Sequence, residues 1–288
     1  FGGDLNQLKM KTILIPVDFS KESEKALSVG AKIAKRISAK LILTHMTAID
    51  TNSLAKTPVD IITEKRDQSK LAAKRFHEFW GKDFLKDVLV EPIIQDRVDF
   101  DSISAFADDI SADLIVMGSS GSNEFEASTT GSNAEKVVRS SKVPVLVVKK
   151  NELNFSSETI LFVSDFMEES LEAYQKISAI ATILQAKMRF LYINLPNTTF
   201  KSTKQMDEIL FTFFTKSQHP DPVGAIKEVH RYADFSIEEG IYNFSNVSPV
   251  DIIAIPTHGR KGVPRLLHQS ISEDVANHSI IPVLTIRI

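Results

Sequence analysis

The sequence predicts an α/β protein built from two tandem, doubly wound parallel-sheet domains. Three observations carry this. Short, near-continuous apolar runs of strand length alternate with stretches of helical periodicity, the pattern of a parallel sheet covered on both faces. The pattern occurs twice: Ile13-Leu-Ile-Pro-Val-Asp18-Phe-Ser-Lys-Glu-Ser23 returns as Ile160-Leu-Phe-Val-Ser-Asp165-Phe-Met-Glu-Glu-Ser170, an offset of 147 residues. Further on, Ala112-Asp113-Leu-Ile-Val returns as Val250-Asp251-Ile-Ile-Ala at an offset of 138, as do Ser132 and Ser270, Glu135 and Glu273, Val137 and Val275, and Pro144-Val-Leu146 and Pro282-Val-Leu284. Matches that keep their order across half a chain indicate duplication. Finally, 288 residues suffice for two cores.

In the first copy, Thr12–Val17 reads as a strand. Ser20 reads as the N-cap of a helix with apolar positions at Ala26, Leu27, Ala31, Ile33, Ala34 and Ile37. Leu41–Met46 is the second strand, and a long helix follows over about 59–84. Strands at 88–94, 114–117 and 143–148 alternate with helices at 100–110 and 133–140. The fall in offset makes the second copy nine residues shorter, 147 less 138, with the loss between its second and third strands. There the run Phe211-Thr-Phe213-Phe214 reads as a core-facing helix, with an apolar ligand pocket as the lesser reading. The domains are expected at 10–150 and 159–288, joined by polar Asn151–Glu158; residues 1–9 are left out of the fold reading. Right-handed crossovers give a doubly wound layer, and ligands of such sheets sit beyond the strand C-terminal ends. Asp18, Met46 and Gly118 fall at such ends.

Bulk composition narrows the function. A 43% hydrophobic and 25% charged chain fits a soluble globular protein. A net charge of −3 argues against a general nucleic-acid binder. The absence of cysteine excludes disulfides, zinc thiolate sites, iron–sulfur clusters and thiol catalysis. No apolar run is long enough to span a bilayer and no secretory apolar region is seen. Cytoplasmic location is the expectation.

The most informative stretch is Gly118-Ser119-Ser120-Gly121, followed later by Gly131-Ser132-Asn133. It lies between a strand run and a helical pattern. Glycines there let backbone approach a ligand closely, and a helix N-terminus favours an anion such as phosphate. With Asp18 after the first strand and this glycine pattern after the fourth, the chain resembles the universal stress protein family, in its tandem two-domain form. The resemblance runs from Met10 to Ile288. It implies a Rossmann-like sheet of the adenine nucleotide alpha hydrolase-like kind and an ATP site in the first domain. Pro16 and Asp18 would lie by the adenosine and Met46 by the adenine edge. Met117 and Gly118 would flank ribose and phosphates, and Gly121, Gly131, Ser132 and Asn133 would cradle the phosphate chain. Mg²⁺ is the optional companion ion, with Glu124 and Glu126 facing solvent or holding it. For Asp18 a helix cap is the competing reading. In the family the domains associate through the last strand, here Val145–Val148 and Val283–Ile286, so the chain is expected to form an internal pseudo-dimer, with a homodimer as a further option.

The second copy departs from the pattern. Pro256 stands for Gly118 and Gln269 for Gly131, leaving Gly259 and Ser270. Pro removes an N–H and fixes φ, so ATP binding in the family manner is not expected there. The basic stretch from His258 through Arg260, Lys261 and Arg265 to His268 reads as a solvated loop, or else an anion site. No Walker loop, dinucleotide fingerprint, nucleophile elbow or zinc-helix motif occurs. No catalytic or metal-binding residue is assigned. The leading expectation is an ATP-binding regulatory protein of the stress response, with little or no hydrolysis and with protein partners. The alternatives are a nucleotide-independent scaffold or small-ligand carrier using the second domain, and a slow ATPase.

Overall fold

The structure, a computed structural model, describes residues 10–46, 57–95, 101–119, 133–148, 155–196, 199–257, 275 and 279–288. They fall into two compact units, the first within 10–148 and the second within 155–288. Among the described residues no helix is long and apolar enough to cross a membrane.

The first unit runs β1 (Thr12–Pro16), α1 (Lys21–Ile37), β2 (Lys40–Met46), α2 (Pro58–Trp80), β3 (Val90–Gln95), α3 (Asp101–Asp109), β4 (Leu114–Gly118), α4 (Asn133–Ser140) and β5 (Val145–Val148). Its strands are parallel in the order β3-β2-β1-β4-β5. The chain therefore winds outward one way from β1 to β3, then returns to β4 on the other side of β1. That reversal is the topological switch point. Ile13, Leu14 and Ile15 are all fully buried, because helices cover both faces; a one-sided sheet would bury only alternate residues. Gly81 ends α2 four residues before the predicted end, and a short 3-10 turn, Asp83–Leu85, follows. The apolar residues beyond Trp80 belong to that turn.

The second unit repeats this order with β6 (Thr159–Val163), α5 (Leu171–Ile183), β7 (Lys187–Asn194), α6 (Thr203–Lys216), α7 (Pro222–Glu228), β8 (Val229–Ala233), α8 (Ile237–Val247), β9 (Ile252–Thr257) and β10 (Val283–Arg287). Its parallel sheet has the order β10-β9-β6-β7-β8. Where the first copy has the single long α2, the second has the shorter α6 and α7. Phe213 and Phe214 of α6 are buried and pack edge-on at 5.6 Å, whereas Phe211 is 52% exposed. Two of the three phenylalanines thus face the core, as helical spacing dictates.

The shared Asp113 and Asp251 prove to be structural. Oδ2 of Asp113 accepts from the backbone N–H of Lys11 (2.7 Å) and Thr12 (3.0 Å). Oδ2 of Asp251 accepts likewise from Glu158 (2.9 Å) and Thr159 (2.8 Å). Each carboxylate ties the start of its unit's first strand to the start of the fourth, at the sheet end opposite the strand C-termini. Asp113→Ala is expected to lower stability by about 1–3 kcal/mol, as the loss of two hydrogen bonds to one carboxylate. A urea unfolding midpoint unchanged from wild type would show instead that water serves these amides equally well.

Candidate functional site

A cleft of about 160 Å³ opens at the switch point of the first unit. β1 contributes Pro16 and the following Val17 and Asp18; β2 contributes Thr44, His45 and Met46; β4 contributes Met117 and Gly118; α4 contributes Asn133 and Ala134. Six of the nine residues singled out from the sequence therefore meet around one cavity: Pro16, Asp18, Met46, Met117, Gly118 and Asn133. Gly121, Gly131 and Ser132 lie outside the described residues, as do Glu124, Glu126, the basic stretch from His258 to His268, Gln269 and Ser270. Among the described residues no three His, Asp or Glu side chains gather in a metal-holding group.

The turn from β1 into α1 shapes the cleft wall. Phe19 has φ of 65°, and its counterpart Phe166 has φ of 56°. The left-handed region costs an ordinary L-residue about 1–2 kcal/mol, so packing must hold each phenylalanine there. The Phe19 ring lies 4.6 Å from His45, 5.2 Å from Phe76 and 5.3 Å from Phe79, with the Arg75 guanidinium 5.6 Å over its face. Phe166 is fully buried against Phe213, Phe214, Phe162 and Tyr192. No glycine marks these turns, so sequence reading alone had no signal for them. His45 is anchored as well: its Nδ1 lies 2.7 Å from the Val17 carbonyl oxygen, which makes Nδ1 the protonated donor.

Asp18 does not cap α1. The cap is Ser20, whose Oγ accepts from Ser23 N–H at 3.1 Å. Asp18 braces that cap: Oδ1 accepts from the Ser20 N–H (2.9 Å) and the Ser20 hydroxyl (2.5 Å). Partial burial alone would raise its pKa. Hydrogen bonds from the Ser20 side chain and backbone, and from the Ser23 side chain, outweigh that and hold it below the usual 3.8. The group is an anionic acceptor at neutral pH, fixed at the cleft edge.

Gly118 meets a steric demand of the fold itself. A Cβ built there would stand 2.5 Å from the backbone oxygen of Glu22 and 2.7 Å from its carbonyl carbon. The end of β4 passes so close to the first turn of α1 that no side chain fits. The second unit, with Pro256 at this position, solves the same crossing differently. Its helix opens with a 3-10 turn, Glu168–Ser170, and α5 begins only at Leu171, whereas α1 begins at Lys21, the counterpart of Glu168. There Asp165 Oδ1 accepts from Met167 N–H at 3.1 Å. Tyr192 takes the place of His45; burial first, and the charge of Asp165 second, raise its pKa. Among the described residues a cavity of about 30 Å³ lies between Asp165, Tyr192 and Ile193.

Two doubly wound parallel sheets in one chain, each with an aspartate-bearing turn at its switch point, define a duplicated α/β protein of the class whose ligands sit at that crevice. The profile of the Universal stress protein family matches residues 9–149 and 157–287. A universal stress protein of Methanocaldococcus jannaschii is 30% identical over 148 residues, covering 49% of this chain and 82% of that protein. A Staphylococcus saprophyticus protein bearing the same family name is 36% identical over 152 residues, covering 51% of this chain and 87% of that protein. Among solved structures, a universal stress protein from Archaeoglobus fulgidus superposes with a TM-score of 0.66 at 19% identity, covering 97% of each chain. This last likeness is one of fold. The chain belongs to the universal stress protein family.

Thr44, His45, Val17 and Ile103 also line the cleft and were not singled out from the sequence. Two outcomes follow from the geometry. Gly118→Ala should destabilise the protein by about 1–3 kcal/mol without any ligand, because backbone atoms of Glu22 must move; an unchanged thermal midpoint would refute the close crossing. Asp18 has a lowered native pKa, so its stabilising contribution is complete above the unfolded-state value and is lost as pH falls through the native one. The difference in melting temperature between wild type and Asp18→Asn should accordingly shrink as pH drops below 3.8.

Proposed function

We propose that the first domain binds ATP or a closely related adenine nucleotide, with little or no hydrolysis, and that the occupied domain regulates protein partners during stress. The observation that carries this reading is the cleft itself. It gathers Pro16, Asp18, Met46, Met117, Gly118 and Asn133 at the switch point, and the Gly-x-x-Gly pattern of the sequence starts at its edge, at Gly118. In this reading Asp18 accepts from the ribose hydroxyls. The phosphates lie toward the N-terminus of α4, where the helix dipole and the direction of the first-turn backbone N–H groups favour negative charge. The described cleft residues include no Lys or Arg, so charge on the transferring group has no fixed cation there to meet it. Asp18, with its lowered pKa, is a weak base at neutral pH. Both points argue for binding in preference to turnover.

The second domain is read as empty of nucleotide, since Pro256 and Gln269 break its glycine pattern and Tyr192 stands where the first domain has His45, with about 30 Å³ beside it among the described residues. One observation favours a carrier role for it instead. A cleft of about 460 Å³ beside α6 is lined by Ile209 and Phe213 together with Lys201, Lys216, Glu168 and Glu208; Lys216 is paired with Glu168 at 2.7 Å, so the lining suits a small, largely apolar molecule without favouring either charge.

Isothermal titration with ATP is expected to give one site per chain, with affinity reduced about tenfold or more in Asp18→Ala, the loss of a charge-assisted hydrogen bond. Phosphate release should stay at background. Absence of saturable binding at millimolar ATP would remove the nucleotide reading, and a stoichiometry of two would remove its restriction to the first domain.

A further inference from the structure

Among the cleft residues, Thr44 stands apart. It is 1% exposed, and its hydroxyl has no hydrogen-bond partner among the described residues. A sealed, unpaired hydroxyl weakens the free protein relative to a methyl group of the same shape. Its surroundings do not require it. The main chain of Thr44 is fully used in the sheet, pairing with Pro16 on one side and Ile93 on the other, with its carbonyl accepting from Val17 N–H at 2.8 Å. The duplicated domain supplies an internal control. Its counterpart is Leu191, which pairs with Val163 in the same register and whose carbonyl accepts from Ser164 N–H at 3.3 Å. Leu191 is fully buried. A hydrocarbon side chain therefore serves this place in the fold, and the hydroxyl occurs in the domain whose cleft is open.

We propose that Thr44 is a specificity residue of the first domain's cleft, its hydroxyl hydrogen-bonding the base of the bound nucleotide. The proposal rests on the nucleotide reading and assigns a contact within it. The strand order decides which part of the ligand Thr44 meets. β4 lies on one side of β1 and β2 on the other, and α4, with the phosphate-favouring helix end, follows β4 and packs on β5. A nucleotide with its ribose at Asp18 and its phosphates toward α4 extends its base over β2. Thr44 and Met46 are two residues apart on that strand and share one face. Met46 is the outer of the two, half-buried, with a flexible thioether. A shift of that thioether, or a χ1 rotation exchanging the Thr44 hydroxyl with its methyl, brings the hydroxyl to the ligand. Binding then satisfies a group that the free protein leaves unsatisfied, so the hydroxyl favours the occupied state.

The test is a crossed pair of measurements on the full chain with ATP as the probe. Thr44→Val keeps the shape and removes the hydroxyl; Thr44→Ser keeps the hydroxyl. In Thr44→Val the ligand-free melting temperature should equal or exceed that of wild type, while the Kd for ATP rises about five- to tenfold. Thr44→Ser should hold the Kd within about twofold of wild type, on the same hydrogen-bond reasoning. A Thr44→Val protein with wild-type Kd overturns the proposal. So does a lower ligand-free melting temperature, which would show that the hydroxyl is partnered in the free fold. Failure of wild type to bind ATP is a separate result, which removes the nucleotide reading and this contact with it.

Discussion

The crossing of β4 over the first turn of α1 governs the rest of the first domain. With 2.5 Å between a hypothetical Cβ at Gly118 and the Glu22 oxygen, the strand end and the helix start are held in near contact. That proximity sets where α1 can begin, and so where Ser20 caps it and where Asp18 must stand to brace Ser20. Beside it the chain turns sharply between β1 and α1, with Phe19 at positive φ. The ring of Phe19, seated among His45, Phe76 and Phe79, supplies the packing that keeps the turn in that conformation. A cleft wall of fixed shape follows from one steric limit and the aromatic cluster that opposes its strain.

The duplicate shows which parts of this arrangement belong to the fold and which to the cleft. Both domains keep the aspartate, the left-handed phenylalanine after it, the strand order and the carboxylate that ties the first strand to the fourth. These features are common to an open cleft and a nearly filled one, so they serve the architecture first. The differences concentrate at the strand ends. Gly118 becomes Pro256, His45 becomes Tyr192 and Thr44 becomes Leu191. Each exchange adds bulk or removes polarity where a ligand would sit. The helix start gives way too, opening as a 3-10 turn in the second domain. The two copies thus differ at the crevice and agree in their cores.

Much of this was legible in the residues. The alternation of apolar runs located every strand of the first domain to within a few residues, because a parallel sheet buried on both faces writes itself as continuous hydrophobicity. Ser20 announced its cap, since a hydroxyl three residues ahead of Ser23 has few other uses at a strand–helix junction. Asp18 was located but its task was not: whether a carboxylate caps a helix or braces the residue that does depends on atomic positions. Gly118 was singled out for close approach, and one thing that comes close is the backbone of Glu22. Glycine reports that something comes close, and only coordinates tell what.

Sequence alone therefore determined the duplication, the alternation of elements, the family pattern and the strand ends at which a site must open, all of them consequences of local periodicity and short-range motif. The tertiary structure decided which side chains share that opening. Thr44 and His45 lie more than seventy residues from Met117 along the chain, and nothing local marks them as neighbours. They meet because β1 pairs with β2 on one side and with β4 on the other. Strand pairing of that range is set by the burial of whole sheet faces, a sum over the domain that no single stretch of sequence contains.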